Sequence, residues 1–197
     1  MPDGAPGPGA HVVLVGLMGA GKTTVGRKVG RILERRFVDA DQELEARSGR
    51  GVAQWFEEEG EDGFRAAERD LLADLLEGDE PLVVGAGGGV VVTEANRIRL
   101  KADDVAVVYL HGEPAFLASR VQAKAHRPLL GDDADAVLGA MYHRRDGWYR
   151  EVADAIVEVR PAHEAGAKPK WRLAEQVVDA LAALGVADVP PAEEASS

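Results

Sequence analysis

The residues Gly16-Leu17-Met18-Gly19-Ala20-Gly21-Lys22-Thr23 follow the spacing G-x-x-x-x-G-K-[ST], the phosphate-binding P-loop. In such a loop successive backbone N–H groups converge into a nest for anionic oxygens. The helix that starts at the loop's end adds the positive end of its dipole to the same point. Lys22 is placed to bridge terminal phosphates, and the Thr23 hydroxyl to ligate Mg²⁺. Glycine is needed because a Cβ obstructs a positive φ or the close approach of a phosphate.

Further along stand other chemistry-bearing residues: Asp39 and Asp41, Arg65, the run Gly87-Gly88-Gly89, Arg120, Arg127, and Arg144-Arg145. Phosphoryl transfer asks a protein for positioning and for positive charge around the moving group. Each of these residues also has an ordinary reading. In extended chain Asp39 and Asp41 project to the same side, but either one also suits the N-cap of a helix starting near Gln42. Arg65 lies among acids, where an exposed ion pair is worth little. A glycine triple after a strand lets backbone approach a ligand, or marks a bulge. The segment 120–135, basic and then acidic around Pro128-Leu129-Leu130-Gly131, reads as a lid or binding loop, or equally as a surface excursion.

The elements that must position these residues alternate. Val12–Val15 is a β-branched run ahead of the loop, and Val25, Val29 and Leu33 give the following helix an apolar face. Arg35–Asp41 reads as a short strand ending in acids, Pro81–Val84 as a third strand, Val105–Leu110 as a fourth and Ala155–Val159 as a fifth. Val52–Leu76 reads as one or two helices interrupted near Gly60–Gly63, with Trp55, Phe56 and Phe64 in the core. Helices are also expected from Glu113-Pro114, over Met141–Tyr149 and over Trp171–Leu184. This order predicts a three-layer α/β/α fold with a five-stranded parallel sheet. In such open sheets ligands collect at the carboxyl ends of the strands.

The chain has 197 residues, 46% hydrophobic and 29% charged, and is read as a single domain over residues 11–186. Residues 1–10, with three prolines and three glycines, are expected to form a flexible leader, and 187–197 a disordered acidic tail. No apolar run spans a bilayer and no signal-peptide pattern opens the chain, so no membrane partner is expected. Cysteine is absent, which excludes disulfides and Cys-ligated metals and makes a reducing cytoplasm the expected location. The net charge of −11 argues against a nucleic-acid partner, and it requires arginines to gather locally if the substrates are anionic.

With these motifs in order, the chain resembles the shikimate kinases from about Val12 to Val159. The matching residues are Gly16–Gly26, Asp39-Ala40-Asp41, Phe56, Gly60–Arg65 with Glu68, Gly87–Val91, Arg127–Leu130, and Arg145 four residues before Tyr149. The resemblance implies the P-loop kinase fold with a mobile lid. It also implies a monomer that transfers the γ-phosphoryl group of ATP to the 3-hydroxyl of shikimate in the chorismate pathway to aromatic amino acids. By the same resemblance Gly19, Ala20, Gly21, Lys22, Thr23 and Thr24 hold ATP, and Thr23 ligates Mg²⁺ with Asp39 reaching the metal through water. Asp41 binds shikimate hydroxyls and accepts the attacking hydroxyl's proton. Arg65 and Arg145 clamp the carboxylate, and Gly87, Gly88 and Gly89 line the acceptor, with Gly88 offering its N–H. Arg127 reaches over the phosphates from the lid, with Arg120 assisting, and Arg172 stands where an arginine stacks on adenine. Two departures from the family pattern are Thr23 for the commoner serine and Gly147-Trp148 for a proline-apolar pair, and the segment Arg160–Trp171 is longer than usual. A kinase for gluconate or a nucleoside monophosphate, and a nucleotide-binding module without catalysis, are the alternatives.

Overall fold

Strand β1 (His11–Val15) is apolar at every position but the first and is buried throughout, as expected of a parallel strand covered on both faces. It is the middle of a five-stranded sheet ordered β2-β3-β1-β4-β5, all pairs parallel. Its neighbours are β3 (Val83–Gly85), with Val12 opposite Val83, and β4 (Val105–His111), with Val12 opposite Ala106. The edges are β2 (Phe37–Asp39) and β5 (Ala155–Glu158). The computed structural model of the chain describes residues 6–122 and 134–187.

Helices cover both faces. α1 (Lys22–Ile32) packs on α9 (Pro169–Ala183), which also meets β5. Opposite them, α4 (Gly60–Leu76) touches α5 (Glu94–Leu100), and α5 touches α7 (Ala134–Val152). α2 (Ala40–Ser48), α3 (Val52–Glu58), α6 (Pro114–Gln122) and the short α8 (Val159–Glu164) complete the described α-helices. None of the described helices is long and apolar enough to cross a membrane.

Three expectations are adjusted. Phe64 is buried in the core, but Trp55 and Phe56 are only partly buried, and the Trp55 ring lies 3.9 Å from the Arg50 guanidinium. The second strand ends at Asp39 because α2 starts at Ala40, so Asp41 sits on a helix turn rather than in extended chain. Residues 7–10, read as leader, are held by Arg35, whose guanidinium donates to the carbonyls of Pro8 (2.6 Å), Ala10 (2.9 Å) and Val186 (3.2 Å). One cation thus collects carbonyls from both ends of the domain, which the prolines and glycines alone did not reveal. Residues 1–5 and 188–197 lie outside the described residues.

Candidate active site

The P-loop follows β1 into a cavity of about 690 Å³ at the carboxyl ends of the strands. Gly16 has φ +138°, and a Cβ there would lie 2.6 Å from the Leu110 carbonyl oxygen, so β4 presses on the loop where only glycine fits. Gly21, at φ +102°, caps α1 from the left-handed region. The Lys22 ammonium donates to the carbonyls of Gly16 (2.7 Å) and Leu17 (3.2 Å), holding it above the loop. The Thr23 hydroxyl donates to Asp39 Oδ2 at 2.6 Å, and Asp39 Oδ1 accepts from the Gln42 N–H at 3.3 Å. Asp39 therefore caps α2 and reaches the P-loop hydroxyl at once; the two readings of this acid were not exclusive. Arg120 reaches back from α6, its Nε donating to the Gly19 carbonyl at 2.8 Å. It is half-buried, and desolvation lowers its pKa.

A second group of polar side chains gathers around the glycine triple. A Cβ on Gly87 would lie 2.7 Å from Glu68 Oε1 and 2.8 Å from Asp41 Oδ1, and one on Gly89 would fall inside the Arg65 guanidinium. The glycines are there because two carboxylates and a cation converge on them, not to form a bulge. Arg65 donates from Nη1 to Glu68 Oε2 at 2.7 Å, an i, i+3 pair on α4 whose side chains are 14% and 6% exposed. This is an enclosed pair rather than the solvated one its acidic surroundings suggested. Burial pushes the Glu68 carboxyl above the usual carboxylate range, against the pull of Arg65 and with a push from Asp41. From α7, Arg145 Nη1 (2.9 Å) and the Tyr149 hydroxyl (2.5 Å) both donate to the Gly88 carbonyl. Burial raises the Tyr149 hydroxyl's pKa, so it stays a neutral donor. Gly147-Trp148 leaves α7 unbroken, and Arg97 of α5 lies 5.0 Å from the Trp148 ring while binding the carbonyls of Val91 and Val92. Two buried atoms here lack partners among the described residues: Glu68 Oε1 and Arg145 Nε.

Gly19, Ala20, Gly21, Lys22, Thr23, Thr24, Asp39, Asp41, Gly88 and Arg120 line the cavity together. Arg65, Gly87, Gly89 and Arg145 stand just behind Gly88 rather than in the lining. Arg172 does not reach the cavity: it donates to the Ala162 carbonyl at 3.1 Å. Because α9 starts at Pro169, its helical phase turns Pro169, Lys170 and Leu173 to the cavity, beside His163 of α8, and Arg172 away. A proline at the start of a helix is a readable signal that fixes this phase. Arg127 and most of the expected lid lie outside the described residues. No three His, Asp or Glu side chains among the described residues form a protein-only metal cage.

The family model for shikimate kinase matches residues 18–182. The chain belongs to the shikimate kinase family. Relatives in this family include the shikimate kinase of Burkholderia lata, 47% identical over 157 residues, which are 79% of this chain and 84% of the relative. That of Halorhodospira halophila is 42% identical over 173 residues, 87% of this chain and 93% of the relative. A solved shikimate kinase from Acinetobacter baumannii, in complex with shikimate, superposes with a TM-score of 0.79 at 35% identity, covering 88% of this chain and 93% of that one. A gluconokinase from Sinorhizobium meliloti, with a TM-score of 0.54 at 19% identity, shares the fold alone.

Proposed function

We propose that this chain transfers the γ-phosphoryl group of ATP to the 3-hydroxyl of shikimate, giving shikimate 3-phosphate and ADP. The observation that carries the acceptor assignment is the pair of buried atoms without partners among the described residues, Glu68 Oε1 against Gly87 and Nε of Arg145, whose Nη1 is seated on Gly88. A buried donor and acceptor without partners are costly in isolation. A molecule with one carboxylate and several hydroxyls satisfies both, taking Arg145 by its carboxylate and donating a hydroxyl to Glu68. Arg65, already seated on Glu68, closes the carboxylate clamp from the other side.

The P-loop backbone and Lys22 hold the phosphates, with Arg120 at the loop's outer edge. We assign the nucleoside end to Pro169, Lys170 and His163 in place of Arg172. Asp41, at the meeting point of the two halves, accepts the proton of the attacking hydroxyl as the new P–O bond forms and the bond to the ADP oxygen breaks. Arg127, outside the described residues, is the proposed lid arginine over the phosphates. The Thr23 hydroxyl held by Asp39 fits Mg²⁺, an ion that keeps waters and is bound through few protein oxygens plus phosphates. When bound, the ion neutralises charge on the phosphate oxygens. The reaction is assigned to the cytoplasm, whose reducing conditions suit a chain without cysteine, and to a monomer, as the family resemblance implies.

A coupled ADP-release assay over shikimate, quinate, gluconate and nucleoside monophosphates tests this reading. Saturable turnover is expected with shikimate, and silence with shikimate would overturn it.

A further inference from the structure

A polar cluster at the carboxyl ends of β4 and β5 has no part in the roles above. His111, the last residue of β4, is 8% exposed. Its Nδ1 lies 2.7 and 2.8 Å from the Glu158 carboxylate oxygens on β5. Its Nε2 lies 3.1 Å from the Tyr142 hydroxyl and 4.0 Å from Asp146 Oδ1, both on α7. The Tyr109 hydroxyl donates to Asp146 Oδ1 at 3.0 Å, and Arg150 Nε donates to Asp146 Oδ2 at 2.8 Å. Burial and the Asp146 charge raise the Tyr109 hydroxyl's pKa, so it remains a donor.

Tyr142, Asp146 and Tyr149 fall at i, i+4 and i+7, one stripe of α7. The Tyr109 ring stacks on Tyr149 with centroids 4.9 Å apart. The chain of contacts therefore runs from β5 through His111 and Asp146 to Tyr109, then to Tyr149, and ends on the Gly88 carbonyl that Arg145 also binds. We propose that Tyr109, His111 and Asp146 are positioning residues: they fix the rotation of α7 and so the seat of Arg145 and Tyr149 on Gly88. This rests on the reading of Arg145 as half of the carboxylate clamp.

The helix needs such a device. Gly147, between Arg145 and Tyr149, has no atom within 4 Å of the place its Cβ would take, so packing does not require glycine there. Glycine is the least helix-favouring residue after proline. A rotation by one residue, about 100°, would turn Arg145 off Gly88. Asp146, enclosed at 19% exposure, resists that rotation with charge-assisted bonds from two directions. His111 adds a brace in either protonation state. Neutral, it donates from Nδ1 to Glu158 and accepts from Tyr142; protonated, it donates from both nitrogens.

The test is steady-state kinetics on the full chain, varying shikimate and ATP separately, for Tyr109→Phe, Asp146→Ala, Arg145→Ala and the double variant Tyr109→Phe/Arg145→Ala. Tyr109→Phe removes one hydroxyl and keeps the ring, so it preserves the test if Asp146→Ala fails to fold. The expected result is a rise of about tenfold in shikimate KM for both single variants, as a remote misplacement produces. ATP KM stays within about twofold, and Tyr109→Phe adds nothing further in the Arg145→Ala background. Equal shifts in both KM values, or multiplicative effects in the double variant, would overturn the proposal. Wild-type KM values in Tyr109→Phe and Asp146→Ala, beside a raised value in Arg145→Ala, overturn it alone. A wild-type shikimate KM in Arg145→Ala overturns the clamp and this proposal with it.

Discussion

The two halves of the proposed site, one for the phosphate donor and one for the acceptor, are built on different principles. The donor half is backbone: eight contiguous residues whose carbonyls hold Lys22 and whose glycines take φ values other residues avoid. The acceptor half is side chain: Asp41, Arg65, Glu68, Arg145 and Tyr149 come from α2, α4 and α7 and meet only because the sheet brings those helices to Gly87–Gly89. The difference teaches where specificity resides. A backbone nest reads phosphate, which many ligands share. On the proposed reading, the array of charges and unpartnered polar atoms selects one arrangement of carboxylate and hydroxyls.

Asp41 lies where the halves meet, so its removal has the largest expected effect. Asp41→Asn should lower kcat by about 10²- to 10⁴-fold, the range for a lost general base, with ATP affinity intact by titration. Next comes Arg65→Ala, expected to weaken shikimate about 10- to 100-fold, the size of a lost charge-assisted contact, and ATP hardly at all. The same variant strips Glu68 of its cation and raises its folded-state pKa further. A raised folded pKa means that the stability contribution is present at low pH and lost as pH climbs through the folded value. Melting temperature in Arg65→Ala should therefore fall as pH rises from the acidic range to neutrality, more steeply than in the wild type. Adding Glu68→Gln should remove that slope without restoring shikimate binding. A flat pH profile in the single variant would show that the pair is not enclosed.

Smaller effects sharpen the comparison. Gly89→Ala places a methyl group where the Arg65 guanidinium lies, so shikimate KM should rise several-fold by kinetics with ATP KM unchanged. An equal change in both would mean that the halves are not separable. Gly147→Ala fills open space on α7 and should stabilise the fold by about 0.5–1 kcal/mol in denaturant melts, with shikimate KM unchanged or lower.

The halves also differ in how far they were legible. The P-loop could be read from a contiguous string because its chemistry is local, and the alternating strands and helices gave the parallel sheet. Asp39 and Asp41 were legible as residue types but not as geometry, because α2 begins one residue after β2 ends. Arg65 looked like a surface ion pair because spacing along α4 does not show that Glu68 is enclosed beneath it. Sequence spacing did not show that Arg172 turns away from the cavity, because the phase of a helix depends on its start, and Pro169 marks that start two residues before the expected Trp171. The brace around His111 joins β4, β5 and α7, and no short-range pattern signals such a contact.

The central claim is that the acceptor half selects a carboxylate through Arg65 and Arg145 while the donor half stays indifferent to it. The most direct measurement compares ADP release with shikimate and with its methyl ester, which keeps every hydroxyl and removes the charge. The account predicts saturable turnover with shikimate and a loss of about 10- to 100-fold in kcat/KM with the ester, at equal ATP KM. Equal kcat/KM for acid and ester would contradict it.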